Sequence, residues 1–225
     1  MIRWDEPGYV VAFTMRAGGV SDGVYASLNL TTGTGDDPAR VAENRRIACA
    51  ALGLDAERLS FNRQVHSPTV HRAGSRGVPG DGLWSDGPRE PMLAMSADCL
   101  PIAVARTDGE RRLAVLHAGW RGLSEGVVGA GVAALGGGET AAVVGPAIGP
   151  CCYDVGEEVS SLFDEDLTVD GRLDLWIAAE RALQRAGVGR VDRVDLCTRC
   201  NERLFFSHRR SGRERGVQGV IGAVA

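Results

Sequence analysis

The 225-residue sequence contains no lysine: all 25 basic residues are arginine. Schiff-base and Lys-nucleophile chemistry are therefore excluded, since both need an amine that can shed its proton near neutrality. The replacement of Lys by Arg throughout reads as a base-composition bias of the coding sequence. Positive charge is not in excess either, because 25 Arg stand against 29 Asp+Glu for a formal net charge of −4. No broad basic field is offered to a polyphosphate backbone, and nucleic acid is not expected as a partner. No stretch approaches the ~20 apolar residues of a membrane span. The start Met1-Ile2-Arg3-Trp4-Asp5-Glu6 lacks the apolar segment of a secretory signal. The expectation is a cytoplasmic protein with no membrane partner, whose 6 cysteines are thiols or metal ligands rather than a disulfide framework. Internal repeats, low-complexity tracts and linkers are also missing, so one domain spanning 1–225 is expected.

What is present is globular composition, 44% hydrophobic with 24% charged. Tyr9 to Thr14 reads as a buried strand, and the Gly-, Ser-, Asp- and Asn-rich stretch from Arg16 to Asp37 as a loop long enough to be functional. Asp37-Pro38 is a helix start and Gly53 a stop, which predicts a helix from Pro38 to Leu52. On a helical wheel Val41, Ala48, Ala51 and Leu52 make its buried stripe, with Asn44 at the centre, Arg45 on the flank and Arg46 on the opposite, solvated side. Two strand-like runs, Met92 to Met95 and Leu100 to Val104, are interrupted by the polar Ser96-Ala97-Asp98-Cys99. Leu113 to Leu116 is apolar on both faces, as a central strand covered on each side should be, and ends at His117. Further expectations are helices at Ser124 to Leu135, Val155 to Phe163 and Arg172 to Ala186, and strands at Thr140 to Val144, Val191 to Leu196 and Val217 to Val224. Such a mixture indicates an α/β or α+β sandwich.

With only 4 histidines, each can be weighed. His66, Cys99 and His117 all fall at the ends of apolar runs. Two imidazoles and a thiolate suit a borderline-soft ion such as zinc, and three protein ligands leave a fourth position open, as in catalytic sites. The separations of 33 and 18 residues match no local metal signature, however, and a lone His or Cys is commonly a satisfied core residue. Cys197-Thr198-Arg199-Cys200 is half of a zinc knuckle or a redox dithiol with no second pair evident, so it is assigned a packing role, as are Cys49 and Cys151-Cys152. His71 and His208 read as surface or supporting residues.

A set of motifs appears in order: Arg16-Ala17-Gly18-Gly19-Val20-Ser21, Ser27-Leu28-Asn29-Leu30, Glu43-Asn44-Arg45-Arg46, Gln64-Val65-His66, Ala97-Asp98-Cys99-Leu100-Pro101, His117-Ala118-Gly119-Trp120-Arg121-Gly122, Gly145-Pro146-Ala147-Ile148-Gly149-Pro150 and Phe205-Phe206-Ser207-His208-Arg209-Arg210. In these the chain resembles the polyphenol-oxidase or laccase-domain family, also called the purine nucleoside phosphorylase or peptidoglycan editing factor family. The resemblance implies an α+β fold, a single-domain four-layer α/β/β/α sandwich of mixed sheets. It implies a zinc ion held by His66, Cys99 and His117. It also implies phosphorolysis of adenosine, inosine and methylthioadenosine, with deamination of adenosine beside it. Where the family it resembles usually carries Gly-Arg-Gln near the C-terminus, this chain has Gly216-Val217-Gln218.

Nucleoside and phosphate are then the expected small-molecule partners, and phosphate needs fixed donors. Arg45, on the flank of a buried stripe, should meet a carboxylate or an anionic ligand. Arg121, in a Gly-rich turn entering a helix, is the second candidate. Asp98, beside Cys99, is read as a carboxylate that orients a histidine or acts as general base. Two rival chemistries use the same residues. One is thiol hydrolysis of a cell-wall precursor amide, with Cys99 as nucleophile and His117 as base. The other is copper-dependent phenol oxidation, for which a trinuclear cluster would need more His than the chain has left.

Overall fold

In the computed structural model, which describes residues 1–225, two six-stranded mixed sheets pack face to face between helices. The first sheet runs in the spatial order Ile2–Trp4, Tyr9–Phe13, Gln218–Val224, Met92–Ser96, Ser60–Arg63, Arg76–Pro79; the second runs Arg190–Arg193, Thr140–Val144, Leu100–Arg106, Leu113–Ala118, Gly82–Ser85, Val70–Arg72. Each joins antiparallel and parallel pairs.

Strand alternation builds the layers. Along Leu113–Ala118, Leu113 and Val115 face the first sheet while Ala114 and Leu116 face the outer helices Val127–Ala134 and Leu175–Arg185. Val11, Phe13, Met92, Ala94 and Val220 answer from the first sheet, and Ala12, Leu93 and Ile221 turn outward onto the helix Pro38–Ala50. The result is helix, sheet, sheet, helix, with three apolar layers between them. Leu100–Arg106 and Leu113–Ala118 are buried almost throughout because each lies inside a sheet covered on both faces.

The helix Pro38–Ala50 starts as expected: the Asp37 side chain accepts a hydrogen bond from Ala39 N, a cap worth ~1 kcal/mol. Val41, Ala48 and Leu52 are buried, but Ala51 is exposed because the helix ends at Ala50 and the chain turns away. Asn44 is buried and fully used. Its side chain donates to Ser21 Oγ and Asn29 O and accepts from Val20 N, which ties the Arg16 to Asp37 loop to the helix. Arg46 is exposed and pairs with Glu43, as the wheel required.

Four expectations shift. The helix at Ser124 to Leu135 is two helices, Trp120–Ser124 and Val127–Ala134, because Gly126 takes a left-handed φ of 92° between them. Val155 to Phe163 is helical only over Glu157–Ser160. Arg172 to Ala186 begins as the strand Arg172–Leu173, and the helix starts at Leu175, where the Asp174 side chain caps Ile177 N. The strand at Val191 to Leu196 is the shorter Arg190–Arg193. No helix is long and apolar enough to cross a membrane.

Candidate metal centre and nucleoside pocket

The three residues singled out for metal meet at one end of the seam between the sheets. Cys99 lies in the short connection from Met92–Ser96 in the first sheet to Leu100–Arg106 in the second, and His117 lies near the end of Leu113–Ala118. His66 follows the first-sheet strand Ser60–Arg63. Their ligand atoms lie within 4.8 Å of one another; Cys99 Sγ is 3.9 Å from His66 Nε2, and the two imidazoles meet edge to face at 4.9 Å. Ligands at ~2.0–2.3 Å from a tetrahedral zinc ion stand ~3.5 Å apart, so the donor set fits such an ion with little adjustment. Gly119 leaves the space: a Cβ there would sit 2.8 Å from the His66 ring and 3.0 Å from Cys99 Sγ.

Asp81 organises this centre, although nothing in the sequence pointed to it. Its carboxylate is buried, and Oδ1 accepts from His117 Nδ1 at 2.8 Å and from His66 N at 3.0 Å. Oδ2 accepts from Val65 N, Ser67 N and Ser67 Oγ. A carboxylate can only accept, so His117 carries its proton on Nδ1 and presents the Nε2 lone pair to the centre. Burial pushes the Asp81 carboxyl up, but the His117 hydrogen bond and the backbone N–H groups outweigh it and hold it well below the usual carboxylate range. The loop is tied to the first sheet as well: Gln64 donates to Met95 O and accepts from Met95 N. His66 is thereby held at a φ of 61°.

Cys99 and His117 share charge. Burial raises the Cys99 thiol, yet the His117 charge and hydrogen bonds from both imidazoles bring it down to about 6. Burial lowers His117, and the Cys99 thiolate and Asp81 carry it up to about 9. Each group favours the charged form of the other, and a soft cation bound at His117 Nε2 would serve the Cys99 thiolate in place of a second ring proton.

A cavity of about 830 Å³ opens over this centre. Phe61, Trp120 and Tyr153 supply aromatic wall, and Thr31 to Thr34 of the long loop form part of its rim. Arg45 lines it too: Nε donates to Leu30 O at 2.9 Å and the guanidinium lies 4.0 Å over Phe61, but it meets no carboxylate. Burial, with repulsion from Arg76, lowers Arg45 to about 10. Arg209 and Arg215 also line the cavity without carboxylate partners, and Arg215 Nε is buried with no hydrogen-bond partner.

Two assignments need correcting. Arg121 is exposed, stacks over Trp120 at 5.0 Å and does not line the cavity, because the five-residue helix Trp120–Ser124 turns its side chain to solvent. Asp98 lines the cavity, and of its two expected roles the histidine-orienting one fails, because its carboxylate accepts from Thr198 Oγ1 and Arg209 N rather than from an imidazole. The histidine-orienting role belongs to Asp81. The cysteines set aside for packing divide: Cys49 is buried in the helix layer, whereas Cys151, Cys152, Cys197 and Cys200 bring their sulfurs together. His208 lines the cavity, and His71 Nε2 contacts Pro79 O away from it.

Fold and site together define a two-sheet α+β protein with a soft-metal donor set at the floor of a cationic, aromatic-walled cavity. Residues 10–224 match the family model described as multi-copper polyphenol oxidoreductase laccase, and the chain belongs to that family. It is 39% identical over 226 residues to a purine nucleoside phosphorylase of Pseudomonas aeruginosa, covering 93% of this chain and 92% of the relative. It is 36% identical to the purine nucleoside phosphorylase YlmD of Geobacillus stearothermophilus, covering 94% and 88%. The crystal structure of Neisseria meningitidis protein NMB0706 superposes with a TM-score of 0.88 at 33% identity, covering 97% of this chain and 95% of that one.

Proposed function

We propose that this protein is a zinc-dependent purine nucleoside phosphorylase acting on adenosine, inosine and methylthioadenosine. The observation that carries this reading is the pairing, in one cavity, of the His66, Cys99 and His117 donor set with guanidinium groups that lack carboxylate partners. An unpaired, half-buried Arg45 is costly unless an anion meets it, and phosphate is the anion that phosphorolysis consumes. Bound at that donor set, a zinc ion supplies a fixed positive charge and a Lewis acid at the cavity floor.

The chain's own residues do the rest. Arg45, with Arg209 and Arg215, binds phosphate and sets one of its oxygens toward the ribose C1′. Phe61, Trp120 and Tyr153 offer faces on which a purine stacks. Asp81 keeps His117 in one tautomer, and Gln64 holds the His66 loop against the first sheet. Displacement forms a C1′–O bond to hydrogen phosphate as the C1′–N9 bond breaks; the purine departs with that electron pair and takes up the proton the phosphate gives up, so neutral base and ribose 1-phosphate result. Val217 stands in the cavity wall, and Arg215, two residues earlier, is the cation this segment contributes.

The direct test is incubation with adenosine, with and without phosphate, followed by chromatography. Adenine and ribose 1-phosphate formed only with phosphate is the expected result. Inosine at a phosphate-independent rate would assign deamination instead, and no turnover of any of the three nucleosides would overturn the reading.

Arg45 and Arg46 provide an internal control on one helix. Charge-assisted contacts are worth ~1.5–3 kcal/mol, so Arg45→Ala should lower kcat/KM for phosphate by ~10- to 100-fold. Arg46→Ala should change stability by no more than ~0.5 kcal/mol and leave turnover unchanged. Steady-state kinetics with phosphate varied checks both, and equal effects would mean that Arg45 does not meet the anion.

A further inference from the structure

Beside the cavity wall, four sulfur atoms converge that the proposed reaction does not use. Cys151 and Cys152 lie in the turn after Pro150, and Cys197 and Cys200 in the turn beyond the strand Arg190–Arg193. All four Sγ atoms lie within 4.8 Å of one another, and Cys200 Sγ is 3.6 Å from Cys151 Sγ and 3.4 Å from Cys152 Sγ. All four are free thiols. With zinc–sulfur bonds of ~2.3 Å, the sulfurs of a tetrahedral four-thiolate site stand ~3.8 Å apart. The observed cluster brackets that spacing.

From this convergence of four sulfurs at the spacing of a zinc–thiolate site we infer that Cys151, Cys152, Cys197 and Cys200 form a second metal site, a closed four-thiolate zinc site of structural type.

As the four Zn–S bonds form, the thiol protons leave to solvent and the filled site carries a net charge of −2. Arg199, whose Nη1 donates to Cys152 O, and Arg210, which donates to the carbonyls of Thr198 and Arg199, offset it. The site clamps two turns that shape the cavity. Thr198 N donates to Ala147 O, Thr198 Oγ1 to Asp98 Oδ1, and Ile148 N to Asp98 O, while Ile148 and Tyr153 line the cavity itself. No ligand position is left open, so this zinc holds the wall and takes no substrate.

The test is metal content by mass spectrometry on protein purified under reducing conditions, free of chelator. Cys197→Ser/Cys200→Ser should hold one zinc per chain fewer than the unmodified protein. In the other direction, His66→Ala/His117→Ala should retain one zinc, released into a colorimetric indicator as a mercurial reagent titrates the thiols. Cobalt loaded into that variant should show the strong near-ultraviolet sulfur-to-metal charge transfer of four thiolates, reduced in Cys152→Ser. The criterion is the loss of one zinc on removing Cys197 and Cys200, so it stands whether or not the His66, Cys99 and His117 centre binds metal. Equal zinc content in the unmodified and Cys197→Ser/Cys200→Ser proteins would overturn the inference, as would peptide mapping that finds these cysteines joined as disulfides in the freshly purified protein.

Discussion

Cys99→Ala should abolish adenosine phosphorolysis and empty the His66, Cys99 and His117 centre in the same step. The thiolate is one of three donors, and the imidazoles that remain face a space the sulfur once filled. Loss of a residue that merely orients a ligand costs ~10- to 100-fold in metal affinity, so loss of a ligand itself should exceed ~100-fold. Turnover should fall with it. Cys99→Asp separates the ligand from the nucleophile: an aspartate oxygen can still bind zinc, whereas it cannot perform thiol chemistry. Partial metal retention with partial phosphorolysis in Cys99→Asp is the expected result. Full adenosine turnover in Cys99→Ala would remove both the metal reading and the thiol-hydrolase reading. Metal content and product chromatography on the same preparations decide the matter.

Asp81→Asn is expected to be the most damaging change that touches neither metal nor substrate. An amide presents one acceptor where the carboxylate presents two. Either His66 N and His117 Nδ1 or the Val65 and Ser67 donors then face an N–H₂ group. With ~1–3 kcal/mol for each stranded buried donor, the protein should lose ~2–6 kcal/mol of stability. Zinc affinity should drop ~10- to 100-fold through the loss of the fixed His117 tautomer. The sign with pH follows from the depressed carboxyl. The stability it contributes is present above the ordinary carboxylate pKa of ~3.9 and is lost as pH falls through its lower folded value. Asp81→Asn should therefore flatten the acid limb of the stability profile. Urea unfolding from pH 1.5 to 7 measures it, and an unchanged acid limb would show that Asp81 does not carry this charge in the folded state.

Much of the scaffold was readable in the chain. Asp37-Pro38 announced its helix, and the unbroken apolar run at Leu113 placed a central strand, because capping and two-sided burial leave local marks. Ser60–Arg63, Val70–Arg72, Arg76–Pro79 and Gly82–Ser85 left none. They are short, and Val70–Arg72 and Arg76–Pro79 lie at sheet edges where one face needs no apolar pattern. Residue type and position at the ends of apolar runs grouped His66, Cys99 and His117, but their separations did not, since residues from two sheets have no characteristic spacing, and the family resemblance supplied the weight. Asp81 sits between Gly80 and Gly82 and reads as any turn aspartate; its role exists only once His117 arrives from the neighbouring strand. The same holds for Arg209 and Arg215, and for the four cysteines drawn from turns far apart in the chain.

The connection Ala97-Asp98-Cys99 crosses from one sheet to the other, while His66 hangs from the first sheet and His117 belongs to the second. The donor triangle is thus a gauge of how the two sheets are seated on each other. Its side lengths are set partly by the small residues in the seam, Ala94, Ala103, Ala105 and Ala141, which let the sheets approach. A shim inserted anywhere along that seam would slide one edge of the gauge against the other, so the geometry of the donor triangle is a property of the whole interface between the sheets.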